Sequence, residues 1–70
     1  MRILLRKKFG IRIAALRKSA RLSQEAFADR CGFARSYMSR IERGCANPSL
    51  DAIETLANAL KVPVRELFDD

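Results

Sequence analysis

Apolar side chains recur every three or four residues along almost the whole chain. Phe9, Ile13, Leu16 and Ala20 share one stripe, Phe27 and Cys31 repeat the four-residue step, and Met38 and Ile41 follow at three. Leu50, Ile53, Leu56, Ala57 and Leu60 form a second, strongly amphipathic run. This spacing lines one side of a helix that turns about 100° per residue. No segment alternates with a period of two over a useful length, so the chain is expected to be all-α.

The breaks fall where helix chemistry favours them. Ser23 can cap a helix that starts at Gln24, with Glu25 near the positive end of its dipole. Gly32 and Gly44 suit helix ends, because glycine enters the left-handed conformation without a Cβ penalty. Asn47-Pro48-Ser49 provides a turn and a fresh cap, and Val62-Pro63 stops a fourth helix and opens a short fifth one. The pattern predicts five helices, at roughly 7–19, 24–31, 35–42, 49–60 and 63–68.

With 70 residues and neither an internal repeat nor a low-complexity tract, the chain is expected to be one domain spanning 9–68. Residues 1–8 read as a basic arm, since only Ile3, Leu4 and Leu5 stand between its charges and a secretory core needs at least about 7 apolar residues. No stretch approaches the roughly 20 apolar residues of a membrane span. Cys31 and Cys45 are the only cysteines and there is no histidine, so neither a metal site nor a cofactor is expected. Two thiols without a secretory signal fit a reducing cytoplasm.

Charge is distributed unevenly. Residues 1–43 carry 12 basic and 3 acidic side chains, net +9, whereas residues 44–70 are net −3, for a total of +6. One end of a small domain is therefore strongly positive, which would steer and orient it on a polyanion.

Two predicted helices separated only by Gly32, Phe33 and Ala34 have the form of a DNA-binding helix-turn-helix. On the second of them Met38 and Ile41 fall on one side. Arg35, Ser36, Ser39 and Arg40 fall on the other, and Arg43 continues that stripe. A major groove accepts an α-helix, and arginine pairs with guanine O6 and N7 through two hydrogen bonds. Short hydroxyls between arginines let a helix sit close to base edges. An enzyme is disfavoured: Ser and Cys lack a neighbouring base, and the three glycines stand alone rather than in a phosphate-binding loop.

These residues resemble a known family. Leu22-Ser-Gln-Glu-Ala-Phe-Ala-Asp-Arg-Cys-Gly32, Ser36-Tyr-Met-Ser-Arg-Ile-Glu-Arg-Gly44, Asn47-Pro-Ser-Leu50 and Ala57-Asn-Ala-Leu-Lys-Val62 are similar to the Xre-type, lambda-repressor-like regulators, and Ile13-Ala-Ala-Leu-Arg17 fits their first helix. Arg35-Ser-Tyr-Met-Ser39 and the short chain look most like the controller proteins of restriction–modification systems. The resemblance implies a five-helix DNA-binding domain with its helix-turn-helix in helices two and three. Such domains dock the third helix in the major groove, commonly as a dimer on a palindromic operator. It assigns Arg35, Ser36, Ser39 and Arg40 to bases, and Gln24, Tyr37, Arg43 and Asn47 to the sugar-phosphate backbone. It also implies a structural Arg17–Glu42 salt bridge. The family often has Ser or Thr where this chain has Ala34 at the start of the third helix.

The expected partners are double-stranded DNA and a second copy of the chain, with neither a membrane nor a small-molecule ligand. A few side chains on one helix read too few base pairs to single out a genomic site, and two-fold pairing doubles them. The expected dimer surface lies on the fifth helix and the end of the fourth, at Val64, Leu67 and Phe68, with Leu67 or Phe68 near the two-fold axis. The alternative reading is an antitoxin or protein-interaction module that uses the same fold as a tether.

Overall fold

A computed structural model describes residues 4–69. Its elements are α1 (Leu5–Ser19), α2 (Gln24–Cys31), α3 (Arg35–Glu42) and α4 (Leu50–Leu60), followed by a 3-10 helix, Val64–Phe68. There is no strand among the described residues. The expected fifth α-helix is thus corrected to a short 3-10 segment. Pro63 precedes it in extended conformation without a side-chain cap, and the Glu66 N–H bonds back to the Pro63 carbonyl at 3.0 Å. Five residues leave too few i→i+4 bonds to hold an α-helix, and the tighter i→i+3 turn takes over.

The first helix also begins earlier than its periodicity suggests. Lys7 and Lys8 donate their N–H groups to the Leu4 carbonyl, so residues 5–8 of the expected arm form the first turns of α1. The rest of that arm, residues 1–3, lies outside the described residues.

Phe9 and Ile13 of α1, Phe27 and Ala28 of α2, Met38 and Ile41 of α3, and Leu56 and Ala57 of α4 meet in one core, together with Ala46 and Leu67. α1 lies against α3 and the 3-10 helix, and α2 bridges α3 and α4. Leu67 has no accessible surface and fills the space between α1 and α4, so it cannot face a second copy. This corrects its expected place in a dimer surface, where only Val64 and Phe68 stay exposed. Leu50 departs in the opposite sense. It continues the α4 stripe in sequence but is 84% exposed, because it is the first residue of the helix and overhangs the core. Ala20, past the end of α1, is exposed as well, and Cys31 is only half-buried. Burial pushes the Cys31 thiol up to about 11, against the opposing pull of Arg30.

The α1–α3 contact depends on Gly10. A Cβ there would stand 2.7 Å from the Glu42 carbonyl oxygen and closer still to that of Ile41. The two helices can approach this closely only because that position has no side chain.

Candidate nucleic-acid interface

The turn between α2 and α3 is built by one residue. Gly32 takes φ 74°, and its N–H bonds to the Asp29 carbonyl while that of Phe33 reaches Ala28 at 2.9 Å. The chain then leaves α2 at an angle that packs α3 across it. Ala34 starts α3 in extended conformation and offers no side-chain cap.

From that start, α3 presents two faces. Met38 and Ile41 are buried on the inner one. Arg35, Ser36 and Arg40 are exposed on the outer one, while Ser39 is half-buried between them. The Arg40 guanidinium sits over the Tyr37 ring, 5.6 Å from its centroid, and Tyr37 meets Phe33 edge-on at 5.1 Å. Arg43 donates through Nε to the Ser39 hydroxyl at 3.3 Å, so Ser39 is already engaged along the helix. The four residues expected to face bases thus share one surface, which Arg43 extends.

Gln24 opens α2 beside this surface. Its side-chain Nε2 donates to Glu42 at 3.2 Å, and Glu42 also accepts from Arg17, at 2.7 Å from Nε and at 3.0 Å from a terminal nitrogen. The third nitrogen of Arg17 donates to the Leu22 carbonyl. The Arg17 and Glu42 side chains are only 12% and 7% exposed, so this is a nearly buried ion pair. It ties α1 to α3 and holds the amide of Gln24, at the tip of α2, in one orientation. The expected structural pair is therefore present.

Asn47 is exposed in the loop from α3 to α4. With Arg6, Lys7, Gly44, Cys45 and Ala46 it lines a shallow groove. The contribution of α1 here was missed by sequence reasoning. Gly44 takes φ 74° where Lys7 crosses it, a Cβ on Gly44 being only 2.7 Å from the Lys7 Cα. Arg6 and Lys7 therefore stand next to the loop that follows α3. Their charge was visible in the sequence, whereas its position beside residues 44–47 depends on packing.

The positive charge is also less evenly available than the sequence suggests. Arg12 donates to the Glu66 carbonyl at 2.8 Å and Arg30 to that of Ala59 at 3.4 Å, so both tie helices together. Among the described residues, no cluster of His, Cys, Asp or Glu could hold a metal ion, and no helix is long and apolar enough to cross a membrane.

Comparison with known proteins shows the same helix-turn-helix fold. The family model described as a helix-turn-helix domain matches residues 8–69. The control protein C.BamHI of Bacillus amyloliquefaciens is 42% identical over 66 residues, which cover 93% of this chain and 82% of that protein. The crystal structure of the restriction–modification controller protein C.AhdI from Aeromonas hydrophila superposes with a TM-score of 0.88 at 48% identity, covering 90% of this chain and 96% of the other. SinR, described as the master regulator for biofilm formation and solved in complex with DNA, superposes with a TM-score of 0.81 at 39% identity, covering 87% of this chain and 98% of the other.

Proposed function

Because this chain belongs to the helix-turn-helix domain family, we propose that it is a transcriptional regulator that binds double-stranded DNA sequence-specifically, with α3 in the major groove. The carrying observation is the outer face of α3, where Arg35, Ser36, Ser39 and Arg40 share one surface at the tip of the motif. Arg35 and Arg40 suit guanine, and the two serines suit any base edge or phosphate. Gln24, Arg43, Asn47 and the Tyr37 hydroxyl offer polar groups that suit the sugar-phosphate backbone. Likeness to C.BamHI and C.AhdI favours a controller protein of a restriction–modification system.

The chain acts as a homodimer on a palindrome, with half-sites about 34 Å apart along the duplex. Its exposed apolar surface supports this reading. Val64 is 44% exposed and Phe68 41%, and Phe68 borders a groove that Leu4 and Leu5 also line. The two-fold contact is expected on this face. Sedimentation at micromolar concentration tests it: a species that stays monomeric both free and on a full palindrome overturns the dimer.

Selection of bound duplexes from a randomised pool tests the reading as a whole. A single enriched palindrome is expected, with affinity falling steeply as salt rises, because each neutralised phosphate adds a log–log slope of about −0.9. Arg35→Ala is expected to cost roughly 1–3 kcal/mol on that site and to relax one base position per half-site. Equal loss on every sequence would reassign Arg35 to the phosphates.

A further inference from the structure

Arg40 differs from Arg35 in what lies beneath it. Arg35 stands free at the start of α3, with no aromatic ring under it among the described residues. Arg40 lies across Tyr37, its neighbour at i−3, at 5.6 Å from the ring centroid. Residues three apart on a helix share a face, and a guanidinium within about 6 Å of a ring centroid is attracted by the ring's negative face. Tyr37 is in turn held. Its ring meets Phe33 at 5.1 Å and 73°, the edge-to-face arrangement that aromatic pairs favour. Phe33 is fixed by the turn itself, through its N–H bond to Ala28 at 2.9 Å. The backbone at Arg40 is tied as well, since its carbonyl accepts from the Cys45 N–H at 2.8 Å. A continuous support thus runs from the turn, through two rings, to the guanidinium.

We propose that Tyr37 is the positioning residue for Arg40, its ring holding the guanidinium on the reading face before DNA is bound. The inference rests on the reading of Arg40 as a base contact and deepens it. An exposed arginine samples many rotamers, and freezing one on binding opposes affinity. The stack removes part of that ordering in the free protein. Base discrimination at the pair read by Arg40 therefore depends on the aromatic ring, whereas any backbone contact depends on the hydroxyl.

The two substitutions at this position separate the roles. Tyr37→Phe keeps the ring and is expected to weaken binding evenly across sequences, with base preferences retained. Tyr37→Leu removes the ring and is expected to lower the preference at Arg40's base pair by about 2- to 5-fold while sparing that of Arg35. Proton NMR of the free, full chain gives a readout independent of DNA. Upfield ring-current shifts on the Arg40 side-chain methylenes are expected in the wild type and in Tyr37→Phe, and are lost in Tyr37→Leu. Their absence from the wild type overturns the proposal even if Tyr37→Leu fails to fold. Arg40→Ala tests the premise. If it leaves every base preference intact, the base-reading role falls and the positioning role with it. If it flattens one position that Tyr37→Leu leaves untouched, only the positioning role falls.

Discussion

The two sides of α3 use the same chemistry for opposite ends. On the inner side, Arg17 donates from all three guanidinium nitrogens to fixed acceptors, two on Glu42 and one on Leu22, and is nearly withdrawn from water. On the outer side, Arg35 is exposed, and Arg40 rests on a ring that leaves its hydrogen-bond donors unused. A guanidinium whose donors are all engaged can only hold helices together. One whose donors are unspent can read an acceptor pattern on a base. On the proposed reading, fold and recognition are separated by helix face rather than by residue type, with the same eight-residue helix serving both.

Breaking the inner side should have the largest effect. Glu42→Ala leaves Arg17 and Gln24 facing a carboxylate that is gone, and removal of one partner from a buried pair costs roughly 3–5 kcal/mol. A core of this size has a net stability on the order of 3–5 kcal/mol, so the variant is expected to be largely unfolded at 25 °C. Circular dichroism with urea titration checks it, with Arg35→Ala as the outer-side counterpart that should melt like the wild type. A Glu42→Ala protein that keeps its melting temperature but changes its operator preference would erase the distinction between the faces.

A smaller effect is expected from the close approach that sets the inner side. Gly10→Ala drives a methyl group into the Ile41 and Glu42 carbonyls, both backbone atoms with little room to yield. Overpacking of this kind costs roughly 1–3 kcal/mol, even after alanine's better helix propensity is counted in its favour. Urea denaturation should show a lower midpoint with an unchanged slope. An unaltered midpoint would mean that α1 can slide away from α3, and that the ion pair alone fixes their distance.

These two residues also mark what the sequence could and could not disclose. α2 and α3 lie where their stripes, the Ser23 cap of α2 and the Gly32 turn put them, and the outer face of α3 follows from helical rotation alone. Local periodicity and turn chemistry suffice for such elements. Gly10 carries no such signal, because a glycine inside a helical stretch looks the same whether it faces water or another backbone. The Arg17–Glu42 pair spans 25 positions, and only the family resemblance, not spacing, linked the two. Apolar character alone does not distinguish Leu50 from Leu67. One overhangs the core and the other fills it, a difference set by where α4 begins and how the last segment docks. Which of the basic residues bond to a carbonyl on another element, as Arg12 and Arg30 do, likewise depends on tertiary contact.

The smallest expected effect lies at the seam between the two faces, where α3 begins. Ser23 and Ser49 cap α2 and α4, their hydroxyls accepting from the Ala26 and Ala52 N–H groups at 3.0 and 3.1 Å. Ala34 holds the equivalent place on α3 with nearly the same backbone, φ −64° and ψ 143°, but has no oxygen to offer. A serine there meets no backbone obstacle to the same geometry, and its hydroxyl would accept from the Tyr37 N–H, which now bonds only to the Ala34 carbonyl at 3.1 Å. Replacing alanine with a capping serine is worth about 1 kcal/mol, which in a domain of this size raises the melting temperature by roughly 4–8 °C. Ala34→Ser should therefore melt higher than the wild type while selecting the same operator, since it stiffens the start of α3 without altering Arg35, Ser36, Ser39 or Arg40. If the melting temperature rises and base preference shifts as well, residue 34 belongs to the reading surface, and the boundary between the faces lies one residue earlier than the outer stripe implies.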